Sequence, residues 1–243
     1  MEIRICHMYP DVLDLYGDRG NLIAMKKRLE WRGIDCCIEK LPLGSSKNLS
    51  GFDLIFFGGG QEFENGAIAA DLRSGRAAEI SAAIEDGVSV LAICSGFQLL
   101  GHYTEDAKGV KTELAGAVDV YTVAGSERRT GDYKFICGEK SGSHEVIGFE
   151  NHLGRSYLGE GLEPLGKVIC GCGNNGEDGG EGLRYKNVFA SYSYGPLLPK
   201  NPGLCDSILL CTLERKYSIS SLEPLGDLAE RSAFDAMNAR LAK

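Results

Sequence analysis

One thiol in the chain is set up to react. In VSVLAICSGFQLLG, residues 88–101, Cys94 follows an apolar run and precedes a glycine and a short amphipathic stretch. The pattern predicts a strand, a sharp turn and a helix. In a nucleophile elbow of that kind the reactive residue sits on strained backbone, so the positions two before and two after it must be small. Here they are Ala92 and Gly96. The sulfur would lie at a helix N-terminus, whose partial positive charge favours the thiolate. Backbone N–H groups at the same bend can receive an oxyanion. On this spacing alone, a small buried cysteine that merely closes a strand fits equally well.

A second segment carries related chemistry. FDLIFFGGG, residues 52–60, ends an apolar strand in three glycines, where backbone can approach a ligand closely. In a parallel sheet the carboxyl ends of the strands gather the site. The glycine turn and Cys94 both follow strands, so both open on one edge.

The elements that must hold them can be read along the chain. EIRIC is a first strand, and a loop follows through YPDVLDLYGDRG. NLIAMKKRLEWRG has helical spacing, with Asn21 as its N-cap and Gly33 as its stop. DCCIEK is a short strand, residues 71–86 are helical, and VSVLAI is a fully apolar strand. Such alternation predicts an α/β fold with a mostly parallel central sheet flanked by helices. The second half is richer in strands: DYKFIC, EVIGFE, KVICGC and NVFASYSY are separated by turn residues. PLGDLAERSAFDAMNARLA predicts a closing amphipathic helix. No long linker or repeat interrupts the chain, so residues 1–243 read as a single domain.

Composition narrows the classes. A net charge of −8 argues against a nucleic-acid footprint, which is basic. No apolar run nears the roughly 20 residues that span a bilayer, and MEIRICHMYPD is no signal peptide, so no membrane insertion and a cytoplasmic setting are expected. Nine cysteines, an odd number at irregular spacing, predict reduced thiols. Cys6, Cys36, Cys37 and Cys137 read as small packed hydrophobes. Cys170 and Cys172 form a C-x-C without a second ligand pair, and no metal site or cofactor is expected.

FGGG followed by ICSGFQLLG resembles the oxyanion strand and C-x-G-x-Q-x-x-G elbow of class I glutamine amidotransferases. YPDVLDLYGDRGN, GFENHLGR, GNNGEDGGEGLRYKNVF and GPLLPKNP narrow the resemblance to the cobyric-acid-synthase-like branch, and within it to the glutaminase subunits of lipid II isoglutaminyl synthases. These motifs run from residue 9 to about residue 202.

The resemblance implies a flavodoxin-like fold and hydrolysis of glutamine to glutamate and ammonia. The ammonia would go to a Mur-ligase-like synthetase subunit, which uses ATP to amidate D-glutamate in lipid II. It makes Cys94 the nucleophile that forms a glutamyl thioester. Backbone N–H groups of Gly60 and Ser95 form the oxyanion hole, and Gln98 lies beside the substrate. Arg128, in ERRTGDY, binds glutamine, as suits a guanidinium facing an α-carboxylate; Arg129 stands one residue away. The alternatives are a solvated charge at a strand edge for either arginine and a cobyric-acid-synthase-type role for the chain. No G-x-x-x-x-G-K-[ST] phosphate loop is present, so any synthetase is a separate polypeptide.

One position departs from the pattern. Where the family has TYLHGP, this chain reads SYSYGP, which puts Tyr194 at the histidine position. Histidine titrates near pH ~6.5 and can take and return a proton, whereas tyrosine, with a pKa of about 10, is a donor at neutral pH. His7, His102, His144 and His152 are the chain's four histidines. His152 reads as a structural residue of the GFENH motif and His102 as an exposed or capping one. A catalytically impaired pseudo-glutaminase that binds and stabilises its partner is therefore the competing reading.

Overall fold

The computed structural model describes residues 1–60, 65–139 and 142–241. The strands are β1 (Glu2–Met8), β2 (Asp35–Leu41), β3 (Leu54–Phe57), β4 (Ser89–Ile93), β5 (Tyr103–Glu105), β6 (Lys111–Glu113), β7 (Val120–Glu139), β8 (Gly142–Leu158), β9 (Gly166–Cys170), β10 (Gly180–Glu181), β11 (Leu183–Tyr185), β12 (Val188–Ser191) and β13 (Ser193–Tyr194). The helices are α1 (Arg19–Glu30), α2 (Asn65–Asp71), α3 (Ala77–Glu85), α4 (Ser95–Leu100), α5 (Leu197–Lys200), α6 (Pro202–Tyr217) and α7 (Leu228–Leu241).

Six strands form the first sheet in the order β11-β12-β4-β3-β1-β2. All its pairings are parallel except the edge pair β11–β12. Every residue of β3, β4 and β12 is buried, as expected of strands covered on both faces. The parallel part has the 2-1-3-4-5 arrangement of a flavodoxin-like sheet, whose direction of build reverses between β1 and β3. Loops after those two strands therefore flank the natural crevice.

The second sheet is built on the long β7–β8 hairpin, with β9, β10, β5 and β6 beside β7. Most of its pairings are antiparallel; β5 runs parallel to β7. The segment NVFASYSY does not belong wholly to this second half. Val188–Ser191 enters the parallel sheet beside β4, and Ser193–Tyr194 pairs with β8 in the other sheet. Val188–Ser191 are apolar or small and fully buried, which suits the interior of the first sheet.

Three local expectations change. Helix α1 starts at Arg19, with Asn21 inside it; the Asn21 Oδ1 accepts the Leu198 N–H at 2.8 Å, so the side chain serves a tertiary contact instead of the cap. The helix over residues 71–86 is interrupted by a π turn at Leu72–Arg76, where Gly75 has φ +117°. Helix α7 buries none of its residues and is held at its edge by Lys134–Asn238 and Asp132–Arg240 contacts. Among the thiols, Cys37 is exposed, because its strand β2 lies at the sheet edge. No described helix is long and apolar enough to cross a membrane.

Candidate active site

Cys94 leaves β4 with φ +48° and ψ −105°, a conformation that L-residues reach only under constraint. Two features impose it. The Cys94 N–H donates to the Ser191 carbonyl at 2.8 Å, and its own carbonyl accepts the Gln98 N–H that starts α4. Gly96 packs against β3 so tightly that a Cβ there would stand 2.6 Å from Phe57 Cβ and 2.8 Å from the Phe57 carbonyl oxygen. A side chain at position 96 would push the bend off the sheet.

Cys94 is 5% exposed and lines a cleft of about 550 Å³. Cys94, Ser95, Gly60, Gln98, Arg128 and Tyr194 all line it, together with Leu15, Tyr16, Asn151 and His152. The elbow and glycine turn come from the first sheet, and Arg128, Asn151 and His152 from the β7–β8 hairpin. The glycine turn is described as far as Gly60; residues 61–64 lie outside the described residues. The Ser95 hydroxyl donates to the Gly60 carbonyl at 2.9 Å, which ties the turn to the elbow. Gln98 is buried, and its Nε2 donates to the Tyr192 hydroxyl at 3.1 Å.

The two adjacent arginines separate cleanly. Arg128 is exposed in the cleft and donates to Asn151 Oδ1 at 3.2 Å. Arg129 is half-buried and donates to Cys172 Sγ at 3.1 Å. The two meet at the bulge of β7 between Ala124 and Arg129, and it is Arg128 that lines the cleft.

Tyr194 stands against the thiol. It is buried, its ring packs edge-on to Tyr16 with centroids 4.9 Å apart, and its hydroxyl hydrogen-bonds to Cys94. Burial, followed by the Cys94 charge, pushes the phenol well above its ordinary range, so it remains a donor at neutral pH. Burial likewise pushes the Cys94 thiol up to about 12, opposed by the hydrogen bond from Tyr194 and reinforced by the charge of Asp18.

Of the four histidines, His152 alone lines the cleft. His152 reaches the cleft wall, but its Nδ1 donates to the Gly154 carbonyl at 2.9 Å and its Nε2 lies 3.5 Å from Glu150 Oε2. Its ring is stacked on Tyr192 at 4.0 Å. The buried Nε2 has no hydrogen-bond partner. His102 is half exposed and meets Asp119, and His7 is buried in β1 against Phe56.

Sequence reasoning passed over Asp18, Leu15 and Tyr16. They belong to the loop after β1, which the same carboxyl-edge rule that located the glycine turn would have flagged. The Gly59 N–H donates to Asp18 Oδ2 at 2.6 Å, and the Leu15 N–H donates to the Gly59 carbonyl at 3.0 Å. The loop thus fixes the glycine turn from below.

The model of the CobB/CobQ-like glutamine amidotransferase domain matches residues 4–202. The chain belongs to that family. Among curated proteins it is similar to the GatD subunit of the glutamine-hydrolysing lipid II isoglutaminyl synthase of Streptococcus pneumoniae, 39% identical over 89% of this chain and 82% of that one. The GatD subunit of Staphylococcus aureus is also 39% identical, over 88% of this chain and 86% of that one. A cobyric acid synthase of Pelotomaculum thermopropionicum is 34% identical, over 43% of this chain and 22% of its own length. Among solved structures, PurLQS of Thermotoga maritima superposes with a TM-score of 0.57 at 19% identity, covering 80% of this chain and 88% of that one, which supports the shared fold. This chain is thus a glutamine amidotransferase-family protein whose elbow cysteine opens on a cleft and whose histidine position holds a tyrosine.

Proposed function

We propose that the chain is the glutamine-hydrolysing subunit of a two-subunit ligase that amidates D-glutamate in lipid II. The observation that carries this reading is the strained Cys94 bend facing a cleft with an arginine on the opposite wall. Identity of 39% across nearly the whole chain to two GatD subunits supports the choice of acceptor.

In this reading Arg128 grips the glutamine α-carboxylate and aligns the carboxamide over Cys94. The thiolate attacks the amide carbon, and the oxyanion forms against the Gly60 and Ser95 N–H groups. The proton given up by the thiol passes to the amide nitrogen, which departs as ammonia, and water then cleaves the thioester to release glutamate. A Mur-ligase-like partner binds ATP and uses the ammonia, and this chain needs no cofactor. The setting is the cytoplasm, where lipid II precursors and ATP meet.

The test is a coupled amidation assay with the partner and ATP. Glutamine-dependent amidation of lipid II is expected. Amidation with free ammonia but none with glutamine would overturn the reading.

Tyr194 favours one competing reading, a pseudo-glutaminase that stabilises its partner, since a buried phenol cannot take the thiol proton. Rapid stoichiometric labelling of Cys94 by a thiol-reactive glutamine analogue would count against it. The cobyric-acid alternative has weaker support, because those relatives match only about a fifth to a third of their own length.

A further inference from the structure

We infer that Asn151 is a positioning residue for the ligand's carboxylate: its side-chain oxygen holds the Arg128 guanidinium in place without cancelling its charge. This rests on the glutaminase reading and names the group that readies its arginine.

Arg128 lacks support from its own strand. The β7–β8 ladder pairs Ala124 with Gly154 and resumes at Arg129 with His152, so residues 125–128 have no ladder partner. Arg128 is exposed, and a long exposed guanidinium samples many rotamers unless something fixes it. Among the described residues, Asn151 is the side chain hydrogen-bonded to it, with Oδ1 accepting from Nη1 at 3.2 Å. Asn151 is itself fixed. Its backbone pairs with Thr130 across the hairpin, the Thr130 hydroxyl donates to the same Oδ1 at 3.4 Å, and Nδ2 donates to the Tyr16 hydroxyl at 3.4 Å. The opposite orientation of the carboxamide would set an N–H against a guanidinium, which has no acceptor. Tyr16 belongs to the other wall, where its ring packs on Tyr194. Asn151 thus joins the two walls through Nδ2 and turns its oxygen to Arg128.

The chemistry turns on an amide standing where a carboxylate would fit. Among the described residues lining the cleft, Arg128 is the only Lys or Arg, and none is Asp or Glu. An aspartate at 151 would have nearly the same shape and accept the same two hydrogen bonds. It would also neutralise the guanidinium and repel an incoming carboxylate. The amide oxygen accepts without bringing a charge. With Nη1 anchored, the remaining N–H donors of the planar group are held ready for a bidentate grip. The ligand this arrangement suits carries a carboxylate, and residue 151 sets how strongly that charge is felt.

The test compares Asn151→Ala with Asn151→Asp by two readouts. The first is the ratio of Cys94 alkylation rates by iodoacetate and iodoacetamide, read by mass spectrometry of the Cys94 peptide and normalised to the same ratio at exposed Cys37. It needs no glutamine turnover, so it decides the inference even where the glutaminase reading fails. The anionic reagent should be favoured at Cys94 in the wild type. That preference should fall about 3-fold in Asn151→Ala and about 10-fold in Asn151→Asp. The second readout is the split between KM and kcat for glutamine. KM should rise about 5-fold in Asn151→Ala, and in Asn151→Asp as far as in Arg128→Ala, with kcat within about twofold. A residue that merely braces the hairpin would give the reverse order, because aspartate keeps both hydrogen bonds that the oxygen accepts and alanine keeps neither. That order, or an unchanged ratio in Asn151→Ala, would overturn the inference. With Arg128→Ala already in place, Asn151→Ala should lower the ratio no further; an equal fall there would show that Asn151 does not act through the arginine, and would also overturn it. Should Asn151→Ala fail to fold, Asn151→Asp decides alone: a ratio and KM like the wild type's refute the inference.

Discussion

Cys6 and Cys94 are both buried thiols of the first sheet, and burial pushes each up to about 12. By acidity alone they are indistinguishable. Cys6 lies mid-strand in β1, paired in register with Ile55 on one side and Glu39 on the other, and has no exposed surface. Cys94 ends its strand in a left-handed bend, faces a cleft, and has the Tyr194 hydroxyl and the Ser95 N–H beside it as donors. What separates a packing cysteine from a nucleophile here is backbone direction and access, with charge supplied by neighbours once the sulfur is presented.

The sharpest way to break this comparison is to exchange the fates of the two thiols. Cys94→Ala should reduce glutamine hydrolysis below detection, whereas Cys6→Ala should cost about 1 kcal/mol of stability and leave turnover per folded molecule unchanged. Steady-state ammonia release alongside thermal melts checks both.

Next in size is Tyr194→His. An imidazole at this position can accept the thiol proton, and kcat should rise about 10²-fold. The base works when neutral, so activity should climb as pH rises through about 6.5. A flat pH profile would mean that the site already has an adequate base.

Arg128→Ala should raise KM for glutamine by about 10- to 100-fold, the worth of a charge-assisted grip. Arg129→Ala, which releases Cys172, should leave KM alone. The pair of titrations tests whether ligand contact belongs to one arginine.

The smallest effect concerns the bend itself. Gly96→Ala collides with the Phe57 backbone and should cost about 1–3 kcal/mol, measured as a lower unfolding midpoint. Alkylation of Cys94 should slow in parallel, while that of exposed Cys37 should not.

Much of this was readable from residues alone. The buried apolar strands β3 and β4, the small residues around Cys94 and the family motifs located the elbow, the glycine turn and Arg128 before any coordinates. Two things escaped. The split of NVFASYSY between two sheets depends on which neighbours each half meets, and its residues look equally strand-forming throughout. Asp18 escaped because an aspartate before a helix reads as an ordinary cap, and only burial with one oxygen unsatisfied sets it apart. Local pattern carries secondary structure well, but solvent exclusion is a property of the assembled molecule.

The crossing from β12 to β13 has a mechanical consequence. Ser191 is stitched to Ile93, one residue before the nucleophile, and Ser193 is stitched to Glu150 on the opposite wall. Tyr192 is the lone link between the two seams, so the walls move as one piece along this side. Hinging them apart would tear one ladder or the other. The side of the cleft that this double seam does not bind is the rim formed by Leu15 and the exposed Tyr16, whose φ of +55° lies in the left-handed region.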